Sequence, residues 1–518
     1  MRATTMRRVM ACLAVAAALV WPARLDAASC ESLASLALPQ ATVTAAEPIA
    51  AGAFVAPGTP PPVTGRARVF TAAPAFCRVA ATLTPTSDSD IKIEVWLPLS
   101  GWNGKFQAVG NGGWLGSLPY TAMAQAVTDG YATAATDTGH VGNSAAFALG
   151  HPEKLIDFAY RAVHEMTARA KSVIDAFYGR APALSIWNGC SQGGRQGIAE
   201  AVRYPADFDA IVAGAPAVNY MHIHAGRMAV NRAVNATPEA VIPPAKYPLV
   251  HRAAIAACDA RDGVTDGVIE NPAACTFDPR TLQCSAQDDT ACLTPGQIQS
   301  AQTMYGGAVH PNTKASVLPG LAHGSELGWA VIGSPQPILY AADAFKYIIA
   351  KDPAWDGSRF DPSLDFDRAI AADPDDAVGS TNPDLRAFFA RGGKLLLYHG
   401  WADAQVTPYN TINFFQKVVA ANGGAGVGTS VQLYMVPGMG HCIGGTGTDT
   451  FDKVAAVESW VTTGTAPARI DASHLANGVV DRTRPLCPFG QVAGWDGRGS
   501  TDVAGSFSCI AATPDPPR

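Results

Sequence analysis

The pentapeptide GCSQG at residues 189–193 constrains the fold more than any other part of the chain. An apolar run at residues 184–187 precedes it and predicts a strand, and residues 194–204 after it predict a helix. A serine between small residues at such a junction sits on a tight strand-to-helix turn, which exposes its Oγ and places the next backbone N–H at the helix start. Ser191 is therefore a candidate nucleophile, the alternative being a purely structural turn.

Strands and helices alternate on both sides of this turn. Residue patterns predict strands at 92–97, 106–109, 131–136, 210–213, 394–398 and 431–436, and helices at 151–177, 411–421 and 454–462. Such alternation favours a mostly parallel sheet. Residues 31–64, rich in Ala, Pro and Thr, predict an irregular or short-stranded lead-in.

Residues 219–384 interrupt the alternation with helices, Pro and Gly turns, Asp-rich loops and four cysteines. We therefore predict the α/β class, with an α/β-hydrolase core formed by residues 28–218 and 386–510. Residues 219–385, called the insertion below, are predicted to form a lid domain, and residues 511–518 a disordered tail.

The first 27 residues have the pattern of an export signal. Arg2, Arg7 and Arg8 are followed by an apolar run of about a dozen residues, too short to span a bilayer, and then by small residues around Ala23 and Ala27. A membrane anchor is the alternative. A signal peptide at 1–27 predicts a secreted or periplasmic protein with no membrane contact in its mature form.

Charge and cysteine content agree with export. The net charge is −6 and no basic cluster is present, so nucleic acid is not expected as a partner. Of the 11 cysteines, Cys12 lies in the signal, and an even number of ten remains, which predicts five disulfides. Spacing does not fix their pairing, and a zinc site lacks the usual Cys and His spacing.

Two later segments carry the partners that a serine nucleophile needs. Asp403 follows the predicted strand 394–398, and His441 follows the strand 431–436 through a Gly-rich loop. The order serine, acid, histidine is that of α/β hydrolases, in which the acid orients the imidazole that takes the serine proton. A loop or helix-cap aspartate is the alternative for Asp403, and His399, which precedes it, is interpreted as structural.

The stabilisation of an oxyanion needs two backbone N–H donors. The N–H of Gln192 is one candidate, and Gly112 or Gly113, in the GNGG loop after the strand 106–109, is the other; a plain flexible turn is the alternative. Cys190 precedes the serine and Cys442 follows the histidine. If the two active residues meet, these neighbours are close enough to form a disulfide.

Taken together, Cys190-Ser191, Asp403, His441-Cys442 and the preceding GNGG loop resemble the tannase and feruloyl esterase family. The resemblance extends from about Cys30 to Cys509. It implies an α/β-hydrolase core with a lid and hydrolysis of hydroxyaromatic acid esters. The pairing that the family implies is Cys30–Cys77, Cys190–Cys442, Cys258–Cys275, Cys284–Cys292 and Cys487–Cys509.

The insertion contains the stretch CDARDGVTDGV at residues 258–268. Closely spaced aspartates between Gly turns suit a hard cation with oxygen ligands. Lids of the family resemble this stretch and bind calcium. The expected structural Ca²⁺ ligands are the carboxylates of Asp259, Asp262 and Asp266 and the carbonyls of Val264 and Val268; a solvated acidic loop is the alternative.

The expected function is a serine carboxylic ester hydrolase for small aromatic esters of the feruloyl, chlorogenate or galloyl type. Tyr340, Phe345 and Tyr347 are candidate pocket walls, although packing inside the lid is favoured for them. A terephthalate half-ester from PET would need a lid arginine, for which Arg359 and Arg368 are distant candidates. Another ester or amide hydrolase and a silent binding protein are the rival classes, and the sequence leaves the oligomeric state open.

Overall fold

A nine-stranded mixed sheet organises the protein in the computed structural model, which describes residues 28–57, 67–285 and 289–512. The strands are β1 (Ala41–Ile49), β2 (Phe76–Leu83), β3 (Ile91–Pro98), β4 (Lys105–Val109), β5 (Ala132–Thr136), β6 (Leu184–Cys190), β7 (Ala210–Gly214), β8 (Lys394–Gly400) and β9 (Val431–Val436).

The sheet order is β1-β2-β3-β5-β4-β6-β7-β8-β9. The pairs among β1, β2, β3 and β5 are antiparallel, and all pairs from β5 to β9 are parallel. Because β6, β7, β8 and β9 are neighbours in the parallel part, the loops at their carboxyl ends meet at one edge. The predicted mostly parallel α/β core is confirmed.

Helices cover both faces of the sheet and a separate cluster forms in the insertion. The α-helices are Ala67–Ala72, Tyr120–Thr128, Pro152–Ile156, Ala162–Tyr178, Gln192–Arg203, Tyr220–Val234, Tyr247–Cys258, Pro295–Gly306, Ala330–Gly333, Leu339–Asp343, Pro362–Ala371, Arg386–Ala390, Pro408–Ala421 and Lys453–Thr463.

The single helix predicted at 151–177 is wrong in detail. A π-helical turn at Asp157–Arg161 separates Pro152–Ile156 from Ala162–Tyr178. Within this turn Asp157 is fully buried and its carboxylate accepts from Arg161 Nε at 2.6 Å. Side-chain spacing alone carries no information on such a local change of pitch.

The insertion between β7 and β8 has its own hydrophobic cluster, centred on buried aromatic residues such as Trp329 and Phe345. Trp114 and Phe158, which lie in the core sequence, join the same cluster. The insertion therefore packs on the core rather than standing apart. Two short strands, Gly307–Val309 and Ser316–Pro319, form a hairpin within it.

Both ends of the described chain contain strands that the sequence pattern does not reveal. The lead-in, expected to be irregular or short-stranded, forms the 9-residue strand β1, which pairs with β2. Beyond the last helix lie two hairpins, Ile470–Ala476 with Val479–Leu486 and Gln491–Trp495 with Phe507–Ala511. These strands are half-exposed and depend on packing against their partner strands, which explains their weak pattern.

Five disulfides are present, and their pairing is the one that the family resemblance implies. Among the residues that the structure describes, no helix has the length and apolar character needed to cross a bilayer. The predicted signal at 1–27 and most of the predicted tail, from residue 513 on, lie outside the described residues.

Candidate active site

Ser191 occupies a sharp turn between β6 and the helix Gln192–Arg203. Its backbone has φ 62° and ψ −122°, a left-handed conformation that a residue with a side chain rarely adopts. The turn is held because the Ser191 N–H donates to the carbonyl of Gly214 at 2.9 Å and its own carbonyl accepts from Ala217 N–H at 3.1 Å. Strain maintained in this way is typical of a nucleophile elbow.

The glycines of the pentapeptide are required by close packing. A Cβ on Gly189 would lie 2.5 Å from the Gly193 carbonyl, and a Cβ on Gly110 would lie 2.6 Å from Gly193 Cα. The absence of a side chain on Gly189 therefore allows the tight turn, and its absence on Gly110 allows the GNGG loop to pack against the start of the helix. The predicted oxyanion elements are therefore neighbours.

Gln196 holds the GNGG loop in place. Its Oε1 accepts from Asn111 N–H at 3.1 Å, and its amide donates to Asn111 Oδ1 at 3.2 Å. Gln192 is the first residue of its helix, so its N–H has no carbonyl partner within that helix. Of the two glycine candidates, Gly113 lies directly under the Tyr340 ring, whose Cζ would be 2.7 Å from a Cβ at this position, whereas Gly112 is more open.

Asp403 is fully buried at the end of β8 and accepts hydrogen bonds on both carboxylate oxygens. His441 Nδ1 donates to Oδ2 at 2.7 Å, and the N–H groups of Gln405 and Val406 donate to Oδ1 at 2.7 and 3.0 Å. Burial opposes the charge, but the facing His441 and the hydrogen bonds from both histidines outweigh it and hold the pKa of Asp403 well below its usual range. Asp403 is thus ionised and oriented toward His441.

His399 is the second histidine on this carboxylate, a contact that the sequence does not predict. Its Nε2 lies 3.1 Å from Asp403 Oδ2 and 2.8 Å from the carbonyl of Val406. Since a carbonyl only accepts, Nε2 carries the hydrogen, and the Thr411 hydroxyl donates to Nδ1 at 2.7 Å. The sequence does contain a signal for this contact, because His399 lies at the end of the buried strand β8, four residues before Asp403.

The disulfide Cys190–Cys442 joins the two halves of the site. It links the residue before Ser191 to the residue after His441, with 6.2 Å between the two Cα atoms. A direct hydrogen bond between Ser191 Oγ and His441 does not occur within the described residues, and such bonds often tighten only when substrate is bound. The predicted serine, aspartate and histidine are brought to one edge of the sheet.

Arg195 is a further residue whose importance the sequence does not show. It is fully buried on the helix after Ser191, and its Nε donates to Gln192 Oε1 at 2.8 Å. Its other nitrogens donate to the Ala159 carbonyl at 2.8 Å and to Ser380 Oγ, in the insertion, at 3.0 Å. Burial lowers the pKa of Arg195 to about 10, so the guanidinium stays charged at neutral pH. Arg195 thus connects the candidate oxyanion residue to the insertion.

The three aromatic residues considered as pocket walls separate into two groups. Tyr340 covers Gly113, and its carbonyl accepts from Trp114 Nε1 at 3.0 Å, so it lies at the site although packing inside the lid was favoured for it. Phe345 is fully buried and stacks on Trp355, and Tyr347 packs against the same cluster. A π-helical turn at Ala344–Ile349 follows the short helix that carries Tyr340, so Tyr340 and Tyr347 do not lie on one regular α-helix.

The predicted calcium loop lies between the insertion and the C-terminal hairpins. Asp259 accepts from the N–H groups of Asp266 and Gly267, and Asp266 is paired with Arg484 at 2.5 Å. Burial, reinforced by the charges of Asp266 and Asp259, raises the pKa of Asp262 to about 6. The oxygen donors suit a hard cation, although the carboxylate oxygens of the three aspartates do not all lie within 4.8 Å of one another.

A strained serine after the central strand β6, with an acid after β8 and a histidine after β9, defines an α/β hydrolase. The nine-stranded sheet and the long insertion between β7 and β8 complete this class of protein.

The chain belongs to the tannase and feruloyl esterase family, whose model matches residues 77–334 and 341–510. An uncharacterised esterase of Xanthomonas campestris pv. campestris is 36% identical over 98% of this chain and 96% of its own length. The probable feruloyl esterase B-2 of Aspergillus flavus is 32% identical over 78% of this chain and 80% of its own. The crystal structure of feruloyl esterase B from Aspergillus oryzae has a TM-score of 0.85 at 30% identity, covering 93% of this chain and 99% of that one. The protein is accordingly a carboxylic ester hydrolase that acts on small-molecule esters.

Proposed function

We propose that the protein is a secreted serine esterase that cleaves esters of hydroxyaromatic acids, of the feruloyl, chlorogenate or galloyl type, through an acyl-enzyme. The observation that carries the proposal is the hydrogen bond of His441 to the buried Asp403, in a loop that the disulfide Cys190–Cys442 ties to the residue before Ser191. This arrangement supplies a base, an orienting carboxylate and a hydroxyl at one edge of the sheet.

In the first half of the reaction, Ser191 Oγ attacks the ester carbonyl carbon and its proton passes to His441 Nε2. Asp403 stabilises the resulting imidazolium because it stays ionised. The N–H groups of Gln192 and of Gly112 or Gly113 accommodate the negative oxygen of the tetrahedral intermediate. The C–O bond to the alcohol then breaks, and His441 gives its proton to the departing oxygen.

In the second half, water takes the place of the alcohol. His441 removes a proton from the water, the hydroxide oxygen attacks the acyl carbon, and the bond to Ser191 Oγ breaks as His441 returns the proton to the serine. The free aromatic acid leaves, and the enzyme returns to its starting state.

The variant Ser191→Ala tests the serine mechanism. We expect loss of kcat by at least about 10³-fold on aromatic esters, with the folded state and substrate binding retained, because only the hydroxyl is removed. Labelling by a fluorophosphonate should occur in the wild type and in the exposed control variant Ser172→Ala, but not in Ser191→Ala. Normal turnover by Ser191→Ala would refute the serine mechanism, and an unlabelled wild type would favour a silent binding protein.

The substrate class is tested by hydrolysis of methyl ferulate, chlorogenate, methyl gallate and the mono-hydroxyethyl ester of terephthalate side by side. We expect the phenolic esters to have the higher kcat/KM. The aliphatic side chain of Val406 lies beside the acid, and the two arginines considered for a terephthalate carboxylate are already paired, Arg359 with Asp352 and Arg368 with Asp365. A higher kcat/KM for the terephthalate ester would select the alternative function.

Export is supported by the five disulfides, since such bonds persist in oxidising compartments. Expression in a bacterium with an intact export system, followed by N-terminal sequencing, should give a mature chain that begins near Ala28.

We also propose that the loop at residues 259–268 binds a structural Ca²⁺, with the carboxylates of Asp259, Asp262 and Asp266 and the carbonyls of Val264 and Val268 as ligands. The cation would supply positive charge to one buried and two partly buried carboxylates.

A further inference from the structure

The first helix of the insertion, Tyr220–Val234, turns a polar face toward the candidate active site. Tyr220, His224 and Arg227 are spaced four and three residues apart and therefore share one side of the helix. All three are buried, with exposures of 3%, 0% and 5%. The helix begins close to the nucleophile, because Ala217, three residues before Tyr220, donates its N–H to the Ser191 carbonyl.

His224 is a buried side chain without a hydrogen-bond partner. Neither ring nitrogen has one among the described residues. The ring lies between two aromatic residues, stacked on Trp114 at 5.7 Å and edge-on to Tyr220 at 4.4 Å between ring centroids. Burial and the nearby charge of Arg227 hold the pKa of His224 well below its usual range, so the imidazole is neutral and offers one donor and one acceptor.

Arg227 is a buried cation that lacks a carboxylate partner in the described part of the chain. Its Nη2 donates to the Gln405 carbonyl, and its Nε has no partner. Gln405 belongs to the acid loop, since its N–H donates to Asp403 Oδ1 at 2.7 Å. The charge of Asp403 also acts on the Arg227 guanidinium. Arg227 is thus fixed beside the acid, with its buried Nε without a partner.

The aromatic neighbours connect this pair to the candidate oxyanion loop. Trp114 follows Gly113 directly and stacks on His224, while Tyr340, which covers Gly113, also acts on the guanidinium of Arg227. Unpartnered polar atoms among aromatic side chains are the usual composition of a pocket that orients an aromatic ligand. The cluster extends from the GNGG loop, through the stacking of His224 on Trp114, to the acid loop, through the bond of Arg227 to the Gln405 carbonyl.

We propose that His224 and Arg227 bind the ring hydroxyl of the aromatic acyl group, and thereby set the preference for phenolic acid esters; this inference rests on the proposed function. A phenolic hydroxyl donates its proton to the acceptor nitrogen of the neutral imidazole and accepts from Arg227 Nε, so one oxygen gives a partner to one atom of each residue. A ring carboxylate fits less well, because it would add a second negative charge near Asp403, whose charge already acts on Arg227.

Two esters that differ by one hydroxyl test this inference: methyl p-coumarate and methyl cinnamate. In the wild type we expect kcat/KM to be at least about 10-fold higher for the coumarate, because the cinnamate leaves the polar pair unsatisfied. In His224→Phe, which keeps an aromatic ring against Trp114, the ratio should fall to within about 2-fold of one. The loss should come from the coumarate alone, with cinnamate hydrolysis retained.

His222→Phe is the matched control. This residue is on the same helix and partly buried, but it faces the charge of Lys417 rather than the site. The control should keep the wild-type ratio. Arg227→Met, which keeps an unbranched side chain of similar length, should also lower the ratio, and circular dichroism would establish that each variant is folded.

Equal kcat/KM for the two esters in the wild type would overturn the subsite while leaving the esterase function intact. An equal loss on both esters in His224→Phe would show a purely structural role and overturn it as well. If the wild type prefers the terephthalate half-ester over methyl ferulate, the group bound by His224 and Arg227 is a ring carboxylate rather than a ring hydroxyl, and the inference is overturned. The proposed function itself fails by a different result, namely unchanged turnover in Ser191→Ala.

Discussion

At the scale of single residues, Asp403 shows how hydrogen bonds hold a buried carboxylate in one charge state and one direction. Four donors converge on its two carboxylate oxygens, two from histidines and two from the backbone. A buried carboxylate with this many donors keeps its charge and a fixed direction. In the proposed mechanism, His399 acts through Asp403 as a positioning residue rather than a catalytic one.

We predict that His399→Leu lowers kcat about 10- to 100-fold with little change in KM, because Asp403 loses one donor and the Val406 carbonyl loses its partner. His399→Gln, which can still donate an N–H, should recover part of the loss. Steady-state kinetics over pH 5–9 measure both. Equal kcat in the wild type and His399→Leu, or no recovery in His399→Gln, would assign His399 to packing alone.

Asp137 is a second buried carboxylate, but its pKa moves in the opposite direction. It follows β5, and its Oδ1 accepts the N–H groups of Lys92 and Gly139 at 2.9 and 2.8 Å. Burial outweighs these two hydrogen bonds and raises the pKa of Asp137 to about 7. Between its unfolded pKa of 3.8 and about 7, the folded state holds more protons, so this group lowers stability as pH rises through that window.

We predict that Asp137→Asn keeps both N–H contacts through its carbonyl oxygen and removes the buried charge. The free energy of unfolding should rise by about 1–3 kcal/mol at pH 8 and be nearly unchanged at pH 4. Thermal melts at the two pH values measure this, with the exposed Asp175→Asn as control. A stability gain of the same size at both pH values would contradict the burial argument.

At the scale of elements, the site is assembled from loops that follow neighbouring parallel strands. The elbow follows β6, the acid follows β8 and the histidine loop follows β9. The strands fix where each loop starts, but the histidine loop is long and Gly-rich. The disulfide Cys190–Cys442 limits its movement by joining it to the elbow across 252 residues.

We predict that the double variant Cys190→Ala with Cys442→Ala loses about 2–5 kcal/mol of stability, because a long loop is no longer closed in the unfolded chain. Its kcat should fall about 10-fold or more as His441 drifts from Ser191. Denaturant unfolding and steady-state kinetics measure the two effects. The control is the double variant Cys284→Ala with Cys292→Ala. It removes a disulfide that lies away from the site and closes a loop of only 8 residues. An equal loss of kcat in this control would contradict the positioning role of Cys190–Cys442.

At the scale of the whole molecule, the loop at residues 259–268 joins parts that are distant in sequence. Arg484 of a C-terminal hairpin pairs with Asp266, and the Ala493 N–H of the other hairpin donates to Glu270 at 2.8 Å. Val264 packs with Ala493 and Phe507. The insertion is therefore attached to the core both at the active site and through these hairpins.

We predict that removal of calcium by a chelator lowers Tm by several degrees and that added Ca²⁺, but not Mg²⁺, restores it, because the buried carboxylates lose their counter-charge. Asp262→Asn should lower Tm and no longer respond to Ca²⁺. The exposed Asp278→Asn in the same insertion serves as control. A Tm insensitive to chelator, together with no calcium in the purified protein by elemental analysis, would leave the loop as an acidic turn.

Sequence patterns predict the core strands, the turn at Ser191 and the candidate acid and histidine after later strands, and the strands are found as predicted. Each of these rests on local chemistry: apolar runs, small residues at a turn, and the chain order of three reactive groups. The family resemblance adds the disulfide pairing, which all five bonds confirm.

Only the tertiary structure decides which distant groups meet. The pairing of β1 with β2, the ion pair of Arg484 with Asp266 and the bond of Arg227 to the Gln405 carbonyl all join residues far apart in the chain. His399 is only four residues from Asp403, but it is the conformation of the loop after β8 that brings the two side chains together. No periodicity marks such residues, because their role is set by what packs against them rather than by the residues beside them. A buried histidine without a partner is indistinguishable in sequence from one that is satisfied.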